Sequence, residues 1–152
     1  MRDTIIISDT SCLIVLNNIG ELDLLQKLYR KITTTVEIAN EFEQALPDWI
    51  EIKTAANTHY QQILELQVDK GEASAIALAI ESEHCILIVD DYKARKVAIN
   101  LGITITGTIG VIIKAKLNGI IPSVEPYLKK ITETNFRLSE DIIRQALLEA
   151  GE

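Results

Sequence analysis

Two unbroken apolar runs limit the folds open to this chain more than any other feature. Ile5-Ile6-Ile7 enters Ser8-Asp9-Thr10-Ser11, and Cys85-Ile86-Leu87-Ile88-Val89 enters Asp90-Asp91. A strand with one wet face alternates apolar and polar residues, whereas a continuous β-branched run reads as a strand buried on both faces, as in parallel sheets covered by helices. Both runs end in acids. In open parallel sheets ligands bind where strands give way to loops and helix N-termini, so two such strands suggest one acidic pocket.

The rest of the pattern alternates around these runs. Leu13, Ile14 and Leu16 mark a short helix from Ser11 to Asn17, ended by Gly20, and Glu21 to Tyr29 is stronger, with Leu22, Leu25, Leu28 and Tyr29 along one side. Lys31 to Thr35 is β-rich, and Thr34 with Glu37 has the form of a capping box ahead of a helix from about Val36. Pro47 stops that helix or begins a turn, and Trp49-Ile50-Glu51-Ile52 reads as a small edge strand. Tyr60 to Val68 predicts an amphipathic helix. Asp69 to Ile80 predicts another, whose small residues allow close packing on a sheet, with Asp69 as N-cap and Glu72 as its reciprocal partner. Further on come a helix from Tyr92 to about Leu101, a strand from Ile103 to Thr106, and a helix from Gly107 to Asn118. Ser123 opens another helix, and Ser139 caps the last, with Ile142, Ile143, Ala146 and Leu147 as its packed stripe. Strands alternating with helices of this length predict βαβ units and a parallel sheet.

At 152 residues the chain reads as a single domain, 1–152, able to bury roughly two-thirds of the surface its unfolded form exposes. There is no charged-then-apolar leader and no apolar run of the ~20 residues a membrane span needs, so a soluble cytoplasmic protein is the expectation. Cys12 and Cys85 lack the paired spacing of a zinc site and read as buried thiols in a reducing compartment. A formal charge of −7 argues against a broad basic face for nucleic acid. It does not exclude a nuclease, because carboxylates that hold cations add to such an excess and the metal itself contacts phosphate.

A pocket of Asp and Glu without His or Cys suits Mg²⁺ or Mn²⁺. Divalent ions there would lower the pKa of a water, orient it in line with a phosphodiester and stabilise the leaving oxygen. Asp9 has a plainer role as cap of the helix near Ser11, yet Ser or Thr would cap without burying a charge, so the site role is preferred. One of Asp90 and Asp91 suffices to cap the following helix, leaving at least one for the pocket; the spacing does not say which. Glu41 shares a helix face with Glu37 and alone reads as solvated, as do Glu37 and Glu43. Glu72 suits the capping box and the pocket equally. Most basic residues, including Lys93 and Lys96, read as solvated helix faces, and Arg95 and Lys114 or Lys116 are the candidates for substrate phosphate. Tyr92 reads as a packing residue ahead of a base-stacking one. His59 and His84 stand alone.

Asp9-Thr10-Ser11 after the first strand, Glu41 on an early helix, Glu72 opening a small-residue helix and Asp90-Asp91 after the next long strand resemble the acidic constellation of PIN domains, VapC-like toxin ribonucleases among them. The likeness is greatest to a prokaryotic branch of unknown function described as predicted nucleic-acid-binding PIN proteins. It lies in Gly71 to Ala79, Asp90 to Arg95, Thr106-Gly107-Thr108-Ile109-Gly110 and the terminal Ala150-Gly151-Glu152, and covers essentially the whole chain. The resemblance implies a three-layer α/β/α sandwich with a mostly parallel central sheet and a Mg²⁺- or Mn²⁺-dependent endoribonuclease. Asp9 would be the central metal ligand, Glu41 and Glu72 further ligands or supporting acids, and Asp90 or Asp91 the ligand after the later strand. Ser11 would hold a water on the metal, with Thr10 and Thr108 as supporting hydroxyls.

The resemblance further implies the toxin of a VapBC-like toxin-antitoxin pair, a homodimer and a small antitoxin partner. Many VapC-like proteins have Asp where this chain has Glu72, and the longer side chain would shift the metal or weaken activity. That departure, with the negative charge, keeps an alternative open: a catalytically weak or inactive PIN-fold protein that binds nucleic acid or a partner. A phosphatase lacks support, since Asp9 is followed by Thr-Ser without a second aspartate two residues on, and no Gly-rich phosphate loop is present.

Overall fold

A computed structural model describes residues 4–152. Five strands, β1 (Ile5–Ser8), β2 (Ile32–Thr35), β3 (Ile50–Lys53), β4 (Cys85–Ile88) and β5 (Thr104–Thr106), form one parallel sheet in the order β3-β2-β1-β4-β5. The two apolar runs are its central pair, in register from Ile5 opposite Cys85 to Ser8 opposite Ile88. Ile7, Leu87 and Ile88 are wholly buried, as an unbroken run requires. The Trp49 to Ile52 segment contributes the edge strand β3.

The helices are α1 (Thr10–Asn18), α2 (Asp23–Tyr29), α3 (Val36–Phe42), α4 (Thr58–Leu64), α5 (Lys70–Glu81), α6 (Tyr92–Asn100), α7 (Thr108–Leu117), α8 (Glu125–Thr132) and α9 (Glu140–Glu149). From β1 the chain steps outward to β2 and β3, then crosses back to β4 and on to β5. Right-handed crossovers running in opposite directions place their helices on opposite faces of the sheet, which makes the α/β/α sandwich. The direction reverses between β1 and β4, and such a switch point opens a crevice at the carboxyl ends of the strands.

Helix α5 lies on β1, β2 and β4. Its Ala73, Ala75, Ala77 and Ala79 are buried with Ile76 and Leu78, so the small side chains bring the helix close to the sheet. A second apolar cluster joins Leu24 to Ile112 and Ala115 of α7, Leu128 and Ile131 of α8, and Ala146 of α9. Among the described residues no helix is long and apolar enough to cross a membrane.

Several local expectations are corrected. The cap of α3 is Thr35, whose hydroxyl accepts from the Ile38 N–H, while Thr34 points elsewhere and donates to the Ser8 carbonyl. Glu37 accordingly makes no capping box and accepts from Gln61 Nε2. Helix α3 stops at Phe42, where Glu43 takes a left-handed conformation at φ 61°, and of the two roles open to Pro47 it takes the second, beginning a turn in which its carbonyl accepts from the Ile50 N–H at 3.0 Å. Ser123 lies one residue ahead of the Val124 N-cap yet still serves the start of α8, its hydroxyl accepting from the Glu125 N–H at 3.3 Å while donating to a Glu152 carboxylate oxygen. Ile142 leaves the packed stripe of α9 and is 47% exposed.

Candidate active site

Asp9 follows β1 directly and is 3% exposed. Its extended backbone lets it cap α1, with Oδ1 accepting from the Cys12 N–H at 2.9 Å. The capping role is therefore real. The other oxygen does something a cap does not need: Oδ2 accepts from the Asp90 N–H at 3.0 Å, joining residues 81 apart in the chain. Burial chiefly, then the charge of Asp90 and more weakly that of Glu72, push the Asp9 carboxyl up to about 8, against the two N–H bonds that favour its ionised form.

Asp90 leaves β4 with its carboxylate between the ends of β4 and β5. Oδ1 accepts from the Thr108 N–H at 2.9 Å and Oδ2 from the Thr108 hydroxyl at 2.5 Å, at the first residue of α7. Burial raises its pKa too, and the Thr108 bonds and the nearby Arg95 guanidinium hold it back. Arg95 donates to the Val89 carbonyl at 2.8 Å and lies across Gly107. A Cβ on Gly107 would stand 2.8 Å from Asp90 Oδ1 and 2.9 Å from Arg95 Nη1, so the glycine is what lets both side chains approach. Asp91, the alternative in the pair, is exposed and caps α6 by accepting from the Ala94 N–H.

Glu72 sits in the first turn of α5 and completes the capping box with Asp69, each accepting from the other's backbone N–H. Burial first, then the charges of Asp69 and Asp91, raise its carboxyl to about 7. One side chain thus closes a cap and lies in the field of Asp9. Glu41 stands at the rim, accepting from the Thr10 hydroxyl at 2.7 Å. Its carboxylate occupies the space a Cβ on Gly71 would take, with Cδ 2.8 Å from that position.

The remaining candidates fall into two groups. Ser11 sits beside Thr10 in the first turn of α1, near the acids. Lys114 and Lys116 belong to the far end of α7: Lys114 lies over the Tyr29 ring at 5.0 Å, and Lys116 pairs with Glu152 at 3.1 Å. At 1.5 Å per residue, Lys116 is about 12 Å along the helix from Thr108, so the structure does not bring it to the acids. Tyr92 is 79% exposed beside Asp91, which overturns its packing role. Cys12 is buried beneath the site, and burial with the charges of Asp9 and Asp90 pushes its thiol well up, leaving it inert.

Sequence reasoning passed over the polar scaffold underneath. Thr35 and Ser74 share a 2.6 Å hydrogen bond, Ser74 also donates to the Gly71 carbonyl, and Thr34 ties β2 to Ser8 just ahead of Asp9. Among the described residues no buried side-chain N or O lacks a partner. The available signal was a run of three threonines in a strand buried on both faces, where hydroxyls must find partners.

The donor chemistry fits a hard divalent cation, being carboxylate oxygen with neither imidazole nor thiolate facing it. Asp9 and Asp90 keep an acceptor lone pair on each bonded oxygen, and the upward push on both acids, from burial and, at Asp9, from the charges of Asp90 and Glu72 as well, disfavours the charged forms in a way a bound cation would offset. Among the described residues no three Asp, Glu, His or Cys side chains already form a ready-made cage.

Buried Asp9 and half-buried Asp90 thus lie at the switch point of a parallel sheet held between two layers of helices, an α/β/α domain. The family model described as PIN domain matches residues 5–152, and the chain belongs to the PIN domain family. No curated protein and no solved structure matches it.

Proposed function

We propose that this protein is a divalent-metal-dependent endoribonuclease that hydrolyses RNA phosphodiester bonds. One observation carries the reading: Asp9 reaches across the switch point to Asp90, 3.0 Å from carboxylate oxygen to backbone nitrogen, from strands that meet only in the folded chain. Asp9 and Asp90 would hold Mg²⁺ or Mn²⁺, with Glu72 near enough to add charge. Bound there, the ion would supply Lewis-acid polarisation of the phosphodiester and a water of lowered pKa.

The chain's own residues do the rest. Thr108 fixes both oxygens of Asp90, the Cys12 and Asp90 N–H groups fix those of Asp9, and Arg95 brings a positive charge beside Asp90. Asp90 is preferred to Asp91 as ligand because it is half-buried against Asp9, to which its N–H donates, whereas Asp91 is exposed. Glu41 and Thr10 supply a further acid and a hydroxyl at the rim. The test is cleavage of RNA with Mn²⁺, wild type against Asp9→Asn. Metal-dependent cleavage lost in the variant supports the proposal; equal cleavage by both, or none by the wild type, refutes it.

A second reading, an RNA-binding PIN protein without turnover, draws on the oxygens of Asp9 and Asp90, all four of which already accept from protein donors. RNA binding with no product at any Mn²⁺ concentration would select it. The toxin role, with a small antitoxin and a homodimer, is proposed from the resemblance to VapC-like ribonucleases. A short reading frame abutting this one, and light scattering of the purified chain, check those two parts.

A further inference from the structure

A groove of about 500 Å³ runs between α7 and α9 beside the end of β5, within the size range of small-ligand sites. Ile105, Ile109, Ile113 and Ile142 line it together with Phe136, and Asp90 and Arg95 belong to the same lining. It is therefore continuous with the acidic site. Ile142 lines it while 47% exposed, which explains why the apolar stripe of α9 leaves this residue uncovered. Arg137 also lines the groove, is exposed, and makes no hydrogen bond or ion pair to another described residue.

These features fit one kind of occupant. With a net charge of −7, the chain meets a polyanion through local cations, and Arg95 and Arg137 are two on a lining that also holds the acids Asp90 and Glu149, the latter accepting from Gln145 Nε2 at 3.2 Å. Arg95 is already held by the Val89 carbonyl, which leaves Arg137 as the uncommitted guanidinium. An apolar slot beside an uncommitted guanidinium matches a nucleotide, whose base has two apolar faces and whose phosphate pairs with arginine. A duplex keeps its bases stacked inside, so only a single strand or loop can place one here.

We propose that the α7–α9 groove seats a nucleobase of single-stranded RNA flanking the phosphate at Asp90, with Arg137 on a neighbouring phosphate; this rests on the ribonuclease reading above. Arg137 and Ile142 are then specificity-determining residues.

The experiment uses the full chain with Mn²⁺ and an unstructured oligoribonucleotide of about ten nucleotides. It compares wild type, Arg137→Ala, Arg137→Lys and Ile142→Glu, all changes at exposed positions. Arg137→Ala and Ile142→Glu are expected to raise KM about tenfold each, with much smaller changes in kcat, the size expected for one phosphate contact or one stacked base. Arg137→Lys recovers part of the KM, and Arg137→Ala makes the salt dependence of KM shallower by about 0.7 in log-log slope. The same sequence closed into a hairpin stem is cleaved poorly by the wild type. If both variants keep the wild-type KM while Asp9→Asn abolishes cleavage, the ribonuclease stands and the groove assignment falls, leaving the groove to a different occupant such as an apolar peptide. If the wild type neither binds nor cleaves the oligonucleotide, the ribonuclease reading fails and takes this inference with it.

Discussion

The buried Asp9 carboxyl links the charge of the site to the stability of the whole domain. Its pKa is about 8 in the folded protein against 3.8 for the free group, so between those values the folded state holds a proton that the unfolded chain has released. Stability from such a group is fully present below the lower value and is lost as pH rises through the upper one. At 1.36 kcal/mol per unit, the metal-free protein should lose roughly 2–3 kcal/mol of unfolding free energy between pH 6 and pH 8 through this residue.

Asp9→Asn removes the titrating group and keeps the shape. One amide oxygen can still accept from Cys12 or Asp90, but the NH₂ group faces the other donor, at a cost of about 1–3 kcal/mol. The variant should therefore be less stable than wild type at pH 6 and should close the gap by pH 8 to 9. Urea unfolding in chelator across that range reads both curves. Adding Mn²⁺ should restore wild type at pH 8 more than at pH 6, because the cation replaces the proton, and should do little for the variant. Parallel pH curves for the two proteins would refute the reasoning.

Other changes separate stability from activity. Thr108→Val strips a buried hydroxyl from Asp90 and should cost about 1–3 kcal/mol in urea while lowering cleavage, with Thr108→Ser recovering most of both. Gly71→Ala should keep stability within about 1 kcal/mol, since the three atoms nearest the new Cβ all belong to the end of the flexible Glu41 side chain, yet displace Glu41 from Thr10 and reduce cleavage; a much larger stability loss would show that Glu41 cannot yield. Thr35→Val loses the α3 cap and the bond to Ser74 and should cost about 1–2 kcal/mol by thermal or urea unfolding. Tyr92→Ala should change stability by less than about 0.5 kcal/mol, because the ring is exposed; a greater loss would mean it packs after all.

Local physics made much of this protein legible from its residues. Three consecutive isoleucines at Ile5 to Ile7 have no wet face to offer, so a doubly covered strand follows, and Asp69 with Glu72 declares a helix start through a three-residue spacing. Gly20, Gly102 and Gly119, all at positive φ, end segments as glycine does in sequence. The acids at both strand ends were visible for the same reason.

Only the tertiary structure decided which of them meet. Strand order depends on hydrogen bonds between distant segments, and no periodicity within β1 or β4 says that they are neighbours. The different surroundings of Asp90 and Asp91 come from Thr108, which arrives from beyond β5 with a hydroxyl and an N–H for the Asp90 carboxylate while Asp91 turns to its own helix. The cap at Thr35 in place of Thr34 has a similar cause: adjacent strand residues point to opposite faces, and the packing of α5 and β1 determined which hydroxyl was free to cap. Residue types set the local conformations and the kind of chemistry available, whereas convergence of side chains 81 positions apart is a property of the assembled sheet.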